Sequence, residues 1–364
     1  MAPLEPWEKV LVSQEFMSTA HGSASCIDCH AGQQAETKED AHEGMIADPS
    51  ADSQQCATCH AKQAANFGES MHASLKGYWT VLDARSTPEN HPALEEAFGN
   101  HCASCHTTCG DCHISQPDSV GGGLLNGHTF EKTPPMTRTC TACHGSRVGA
   151  EYLGKHEDIP GDVHFRKARM NCVACHEGAA MHSAAEGDDH RYAGAQMPAC
   201  TDCHAKVGAS GDSVIQHTLH QDKLSCQVCH AVEYTSCDGC HVAVSENTGN
   251  PFYKTEGDYL TFFIGRNPRQ DENRPYEYVP VRHVPVAPTS FEYYGENLLS
   301  NFNALPTWAY ATPHNIQRIT PQNSECKNCH GNPDVFLTAD KVKPEELEAN
   351  QPVIVEEVPG PVGR

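Results

Sequence analysis

Ten copies of the string C-x-x-C-H use up all 20 cysteines of this chain and leave little freedom in what it can fold around. The copies begin at Cys26, Cys56, Cys102, Cys109, Cys140, Cys172, Cys200, Cys226, Cys237 and Cys326. Their second cysteines are Cys29, Cys59, Cys105, Cys112, Cys143, Cys175, Cys203, Cys229, Cys240 and Cys329. A histidine follows each of these: His30, His60, His106, His113, His144, His176, His204, His230, His241 and His330. This is the attachment signature of c-type haem, in which two thiols add to the vinyl groups and the adjoining imidazole becomes the proximal iron ligand. Ten signatures imply ten covalently bound haems. Zinc sites need a second ligand pair, thioredoxin-like pairs need a βαβ setting, and a disulfide framework gives no reason for a histidine after every second cysteine.

With 364 residues, 38% of them hydrophobic and 7% aromatic, the chain has little apolar protein to share among ten cofactors. Stability comes from buried apolar area, so the porphyrins themselves are expected to form the core and the haem-free chain to be largely unfolded. The expected fold is therefore short α-helices and coil organised around stacked haems, with little β-structure and irregular strands confined to 255–290. Pro280 and Pro285 in that stretch argue for edge or irregular strands. Helices are expected from Pro6 to Thr19, over 93–105 and from Pro344 to Asn350.

Lys and Arg number 25 against 47 Asp and Glu, a formal charge of −22. Each ferric haem with ionised propionates and two neutral histidines adds about −1, taking the oxidised holoprotein to about −32. That balance disfavours nucleic acid and anionic lipid as partners and suits other redox proteins, basic surfaces or metal cations. The acidic pair Asp188 and Asp189 is a candidate calcium site. No stretch approaches the roughly 18 apolar residues of a transmembrane helix. The segment MAPLEPWEKVLVSQEFMSTA lacks the basic-then-apolar pattern of an export signal. Because prokaryotic c-type haem is attached outside the cytoplasmic membrane, the expectation is a mature chain at the cell surface, in the medium or in the periplasm.

Successive motifs start 30, 46, 7, 31, 32, 28, 26, 11 and 89 residues apart, and the many steps near 30 read as repeated addition of one haem-binding unit. The short connections in CASCHTTCGDCH and CQVCHAVEYTSCDGCH make those haems neighbours. Three regions are expected within one integrated unit: 1–241 with nine motifs, an aromatic-rich segment 242–335 ending in the tenth, and an acidic, Pro-rich tail 336–364. The aromatic segment reads as a flap over haems. The tail, with its apolar run Val353 to Val355, is either disordered or strapped onto a neighbour.

Ten of the 24 histidines are proximal, which leaves 14. Eleven are candidates for the distal position of ten irons: His21, His42, His72, His128, His164, His182, His190, His217, His220, His283 and His314. His101 abuts Cys102 and points the wrong way, and His91 and His156 read as loop residues. The internal methionines are expected to fill gaps between porphyrins. An iron with both axial positions filled by protein has no open site for substrate, so its chemistry is electron transfer, at lower potential than Met/His ligation gives.

Phrases such as GNHCASCHTTCGDCHISQP, GGGLLNGHTF, DVHFRKARMNCVACHEGAAMH, HTLHQDKLSCQVCH, VRHVPVAP and PTWAYATPHNIQRIT resemble the large multihaem c-type cytochromes of anaerobic respiring prokaryotes. The resemblance runs from about His42 to His330. It implies distal roles for His128, His164, His182, His283 and His314, and respiratory electron transfer, often to extracellular acceptors; some relatives polymerise into haem filaments. The leading expectation is an exported electron conduit with no catalytic residue. The alternatives are a multihaem reductase of nitrite, hydroxylamine or tetrathionate type with one open haem, or a decahaem subunit seated in a porin. No C-x-x-C-K motif asks for the first, and the aromatic segment departs from the slim rod of the second.

Overall fold

A C-x-x-C-H string wound into one helical turn puts both sulfurs and the imidazole on the same side, because residues i, i+3 and i+4 share a face. The computed structural model forms this turn repeatedly. It describes residues 12–105, 107–182, 197–232, 235–238, 241–254, 257–260, 262–272, 274–284 and 287–362, with backbone alone at 104, 235–238 and 257–260. Cys26–His30, Cys109–His113, Cys140–His144 and Cys226–His230 are five-residue α-helices. Cys172–Ala174 and Cys326–Asn328 are single 3-10 turns. In three motifs an aspartate two residues after the first cysteine closes the helix start. Asp28, Asp111 and Asp202 accept the backbone N–H of Ser25, Thr108 and Ala199 at 2.8, 2.9 and 2.9 Å, which satisfies a donor the first turn would otherwise leave unpaired.

The second motif lies inside the helix Gln54–Gly68, whose backbone kinks at His60 (φ −113°, ψ 43°). The helix expected over 93–105 forms as His91–His101 followed by a 3-10 turn at Ala103–Cys105. The one expected over Pro344–Asn350 forms as a 3-10 turn, Pro344–Glu346, leading into Leu347–Asn350. Of the expected N-terminal helix, Gln14–Met17 is helical and the part before residue 12 lies outside the described residues.

Among the described residues seven short strands make three small antiparallel sheets: β1 (Thr235–Asp238), β2 (His241–Val244), β3 (Pro251–Lys254), β4 (Gly257–Leu260), β5 (Phe263–Arg266), β6 (Tyr278–His283) and β7 (Trp308–Tyr310). β1 pairs with β4, β2 with β3, and β6 lies between β5 and β7. Strands thus extend beyond 255–290, and the Pro280 strand is central, not an edge. The reason is local. An extended residue points its N and C=O to the same side, and the Pro280 carbonyl accepts from Ala311 N at 2.8 Å, one residue past the end of β7. The missing N–H therefore falls where no ladder partner is needed.

The chain divides into two compact units. The first comprises 1–77, 102–145 and 171–194; the second comprises 78–101, 146–170 and 195–364. Among its described residues the second unit holds three apolar clusters. One joins Val279, Val281, Trp308, Leu337, Val342, Val353 and Ile354. Another gathers Leu94, Ala97, Phe291, Leu298 and Leu299, and a third Val228, Ile264, Phe336 and Val355. Porphyrin is thus not the only core this chain can build. The tail is strapped down as an extra edge: Arg266 N donates to Val353 O and Val355 N to Leu337 O, both at 2.8 Å. Among the described residues of the first unit, Leu75 is the one buried large apolar side chain.

Candidate haem sites

Among the described residues seven motif histidines each face one spare histidine across a nearly constant gap. In the first unit the ring centroids are 6.1 Å apart for His21 and His60, 6.0 Å for His30 and His128, 6.3 Å for His72 and His144, and 6.0 Å for His113 and His182. In the second unit they are 6.0 Å apart for His164 and His204, 6.2 Å for His217 and His230, and 6.1 Å for His220 and His330. Every pair combines one C-x-x-C-H imidazole with one from outside the motifs.

The angle between the rings meanwhile ranges from 11° in His113–His182 to 85° in His72–His144. Rings in direct stacking contact approach more closely, as His21 and Phe130 do at 4.0 Å and 12°. A fixed separation with free rotation is what a metal between two imidazoles imposes. Each such pair would suit a haem iron held between its two imidazoles, with the ring planes left free to turn.

In eight of these rings the second ring nitrogen is engaged in the way a metal ligand requires, whereas Nδ1 of His128 is buried without a hydrogen-bond partner. Nδ1–H donates to a backbone carbonyl in His30 (Ile46, 2.9 Å), His113 (Glu131, 2.7 Å), His182 (Gly178, 2.8 Å), His220 (Gln216, 2.9 Å), His230 (Gln317, 3.0 Å) and His330 (Gly360, 3.2 Å). In two spare histidines it meets a carboxylate instead: His164 bonds Asp162 Oδ1 at 3.0 Å and His217 bonds Asp212 Oδ2 at 2.7 Å. These bonds fix the tautomer and would leave Nε2 available to a haem iron. Burial lowers the pKa of His21, His72, His128 and His176, favouring the neutral ring that ligation needs.

Sequence neighbours are not spatial partners. His21 precedes the first motif yet faces His60 of the second, His164 precedes the sixth yet faces His204 of the seventh, and His220 precedes the eighth yet faces His330 of the tenth. A six-residue helix, Ile215–His220, carries His217 and His220 toward two different motifs.

The sulfurs bring motifs together. Within the first unit Cys56 is hydrogen-bonded to Cys109, and Cys140 to Cys172. Ser53 Oγ lies 3.4 Å from Cys109 Sγ, and Ser50 Oγ 2.9 Å from Thr108 Oγ1, tying the second motif's segment to the fourth. Within the second unit Cys200 is hydrogen-bonded to Cys226, and Cys229 and Cys329 pack against one apolar cluster. Every cysteine whose side chain is described is free, and no group of three or more His, Cys, Asp or Glu that could hold a metal ion occurs among the described residues.

The remaining candidates divide. His42 Nδ1 donates to Lys38 O at 2.6 Å and His314 Nδ1 to Thr312 O at 2.7 Å, the same preparation seen in the paired rings. His283 is used differently. It is 3% exposed at the end of β6, and its Nε2, the atom a distal ligand would offer, lies 3.0 Å from Glu346 Oε2. That carboxylate also accepts from Thr307 Oγ1, so His283 belongs to a buried polar network that holds the tail against the sheet. His101 accepts from Tyr294 O–H at 2.8 Å; His91, read from sequence as a loop residue, instead opens the helix His91–His101 and lies 3.3 Å from Asp83. His106, His190, Cys240, the Cys237 side chain and the Asp188–Asp189 calcium candidate lie outside the described residues.

Sequence reading missed Asp162 and Asp212. The available signal was local: Asp162 is the N-cap of the helix Val163–Ala168, two residues before His164. Asp212 accepts from Gly208 N (2.7 Å) and Val214 N (2.9 Å), and those N–H groups, with His217, hold its carboxyl down to about 2. No described helix is long and apolar enough to cross a membrane.

Residues 55–145 match the family model described as cytochrome c554 and c-prime. That stretch contains four complete attachment motifs, beginning at Cys56, Cys102, Cys109 and Cys140. No curated protein and no solved structure matches the chain. The matched stretch and the repeated thiol–thiol–imidazole turns together support a c-type cytochrome that binds haem covalently and transfers electrons.

Proposed function

We propose that this chain is an exported decahaem conduit whose irons are closed by two histidines each and which moves electrons without transforming an organic substrate. The observation that carries the reading is the set of seven motif-to-spare histidine pairs at 6.0 to 6.3 Å. In this reading the proximal ligands are the ten motif histidines. The distal ligands are His128 for the first motif, His21 for the second, His182 for the fourth and His72 for the fifth. His164 serves the seventh, His217 the eighth and His220 the tenth. His42, His190 and His314 remain candidates for the third, sixth and ninth; His283 does not enter the set.

Haem supplies the one-electron chemistry. The residues fix spacing, exclude a sixth-position substrate and set the potential. Sulfur contacts between motifs two and four, five and six, and seven and eight support short hops within each unit. The acidity of the chain favours basic redox partners, and its attachment chemistry favours the periplasm or the cell exterior. The sharper form of the reading is end-to-end stacking of copies into a filament.

Protein-film voltammetry of the holoprotein tests the proposal. A broad, reversible, non-catalytic envelope that is unchanged by nitrite, hydroxylamine or tetrathionate is expected. A catalytic current with any of them would replace the conduit by a reductase. Electron micrographs of the same sample would show filaments if the sharper form holds and separate particles if it does not.

A further inference from the structure

Two of the distal histidines differ from the rest in what stands behind them, and the difference lies in charge. His113, His182, His220 and His330 donate Nδ1–H to neutral carbonyls, so both ligands of the fourth and tenth sites are backed by peptide oxygen. His164 and His217, facing the seventh and eighth motif histidines, donate to Asp162 and Asp212.

Both carboxylates are built into backbone cradles. Asp162 is 2% exposed. Its Oδ1 accepts from His164 N at 2.6 Å and its Oδ2 from Ile316 N at 2.7 Å. Asp212 is 10% exposed and takes Gly208 N, Val214 N and the imidazole. Two unrelated loops thus spend several backbone donors to hold an anion against one ring nitrogen, although a carbonyl would have fixed the tautomer equally well.

We infer that Asp162 and Asp212 are potential-setting residues which make the seventh and eighth haems the low-potential members of the chain. The inference rests on the haem ligation proposed above. An imidazole whose N–H faces a carboxylate has more imidazolate character and donates more strongly to iron. The ferric state, carrying the extra positive charge, gains more from this than the ferrous state, so the reduction potential falls. The eighth site is also close to the tenth. Cys229 and Cys329 share an apolar cluster, and His217 and His220 share one helix turn. The step from the eighth to the tenth site therefore runs from a carboxylate-backed to a carbonyl-backed iron, downhill for an electron.

The test is a spectroelectrochemical titration of the holoprotein and of Asp212→Asn and Asp162→Asn, which remove the charge and keep an oxygen acceptor for the N–H. Each variant is expected to move one low-potential component upward while its low-spin two-histidine spectrum persists; Asp212→Glu should restore the original position. Unchanged titration curves in both variants would overturn the inference and leave ligation intact. A shift seen only with loss of the low-spin signal would overturn it too, by reducing the aspartates to structural supports. Because the buried Asp162 has more to lose on substitution, Asp212→Asn decides the matter if Asp162→Asn does not fold. Absence of haem from the wild-type protein, read by its absorption spectrum, would instead overturn the ligation on which this rests.

Discussion

The two units solve the same problem with different means. The first holds four of the histidine pairs yet buries a single large apolar side chain among its described residues, Leu75. The second holds three pairs and three apolar clusters, with β6 and the Val353 to Ile354 strap at the centre of the largest. A fully buried aliphatic side chain stabilises a fold by roughly 1.5–3 kcal/mol, so the second unit has a source of stability that is independent of cofactor. The first must draw on covalently anchored haem to offset its chain entropy. Attachment chemistry can replace a protein core in one part of a chain while a neighbouring part retains one.

The largest expected effect of this difference is on the chain without haem. Produced without attachment, it should lose amide exchange protection throughout the first unit, including the helix Gln54–Gly68, while Val281 and Leu299 in the second stay slow to exchange. Equal protection in both units would break the comparison. A smaller effect should follow removal of one distal ligand. His182→Ala, in the first unit, should destabilise the holoprotein by about 1–2 kcal/mol more than His220→Ala, in the cored second unit. Thermal unfolding followed at the haem absorption reads both, and a larger loss in His220→Ala would reverse the assignment.

Leu299→Ala sharpens the comparison from the other side. Leu299 is fully buried in the Leu94–Phe291 cluster, so the change should cost about 3 kcal/mol in denaturant unfolding of the second unit and leave exchange in the first unchanged. The smallest effect is expected from Glu346. Burial pushes its carboxyl up, but hydrogen bonds from His283 and Thr307 more than offset this and hold it below its ordinary 4.5. A depressed carboxyl contributes stability that is fully present above its unfolded value and is lost as pH falls through the folded one. The wild type should therefore lead Glu346→Gln in stability at neutral pH, with the gap closing only below about pH 4.5. A gap that persists unchanged in acid would remove the ionised carboxylate from the strap.

Much of this was legible in the sequence because the chemistry is local. A C-x-x-C-H string carries its thiols, its imidazole and its helix turn in five residues, and the number of spare histidines is what raised the expectation of closed irons. Partner choice was not legible, since His30 and His128 meet across a chain fold that no spacing rule encodes. The phrase RHVP likewise suggested a distal ligand at His283, but a core strand carries that residue toward Glu346, a contact set by the folding back of the tail. The Pro280 strand became central because β7 stops one residue short of needing the proline's N–H, a matter of register. The carboxylates behind His164 and His217 were within reach, as a helix N-cap and a loop aspartate, but only geometry shows them turned to a ring nitrogen.

The central claim is that each iron is closed by two imidazoles, and low-temperature electron paramagnetic resonance of the fully oxidised holoprotein, paired with near-infrared magnetic circular dichroism, tests it most directly. Two-imidazole ligation predicts low-spin ferric signals and a charge-transfer band of bis-histidine type alone. A high-spin signal, or a methionine–histidine band, of a size matching one or more of the seven paired sites would contradict it.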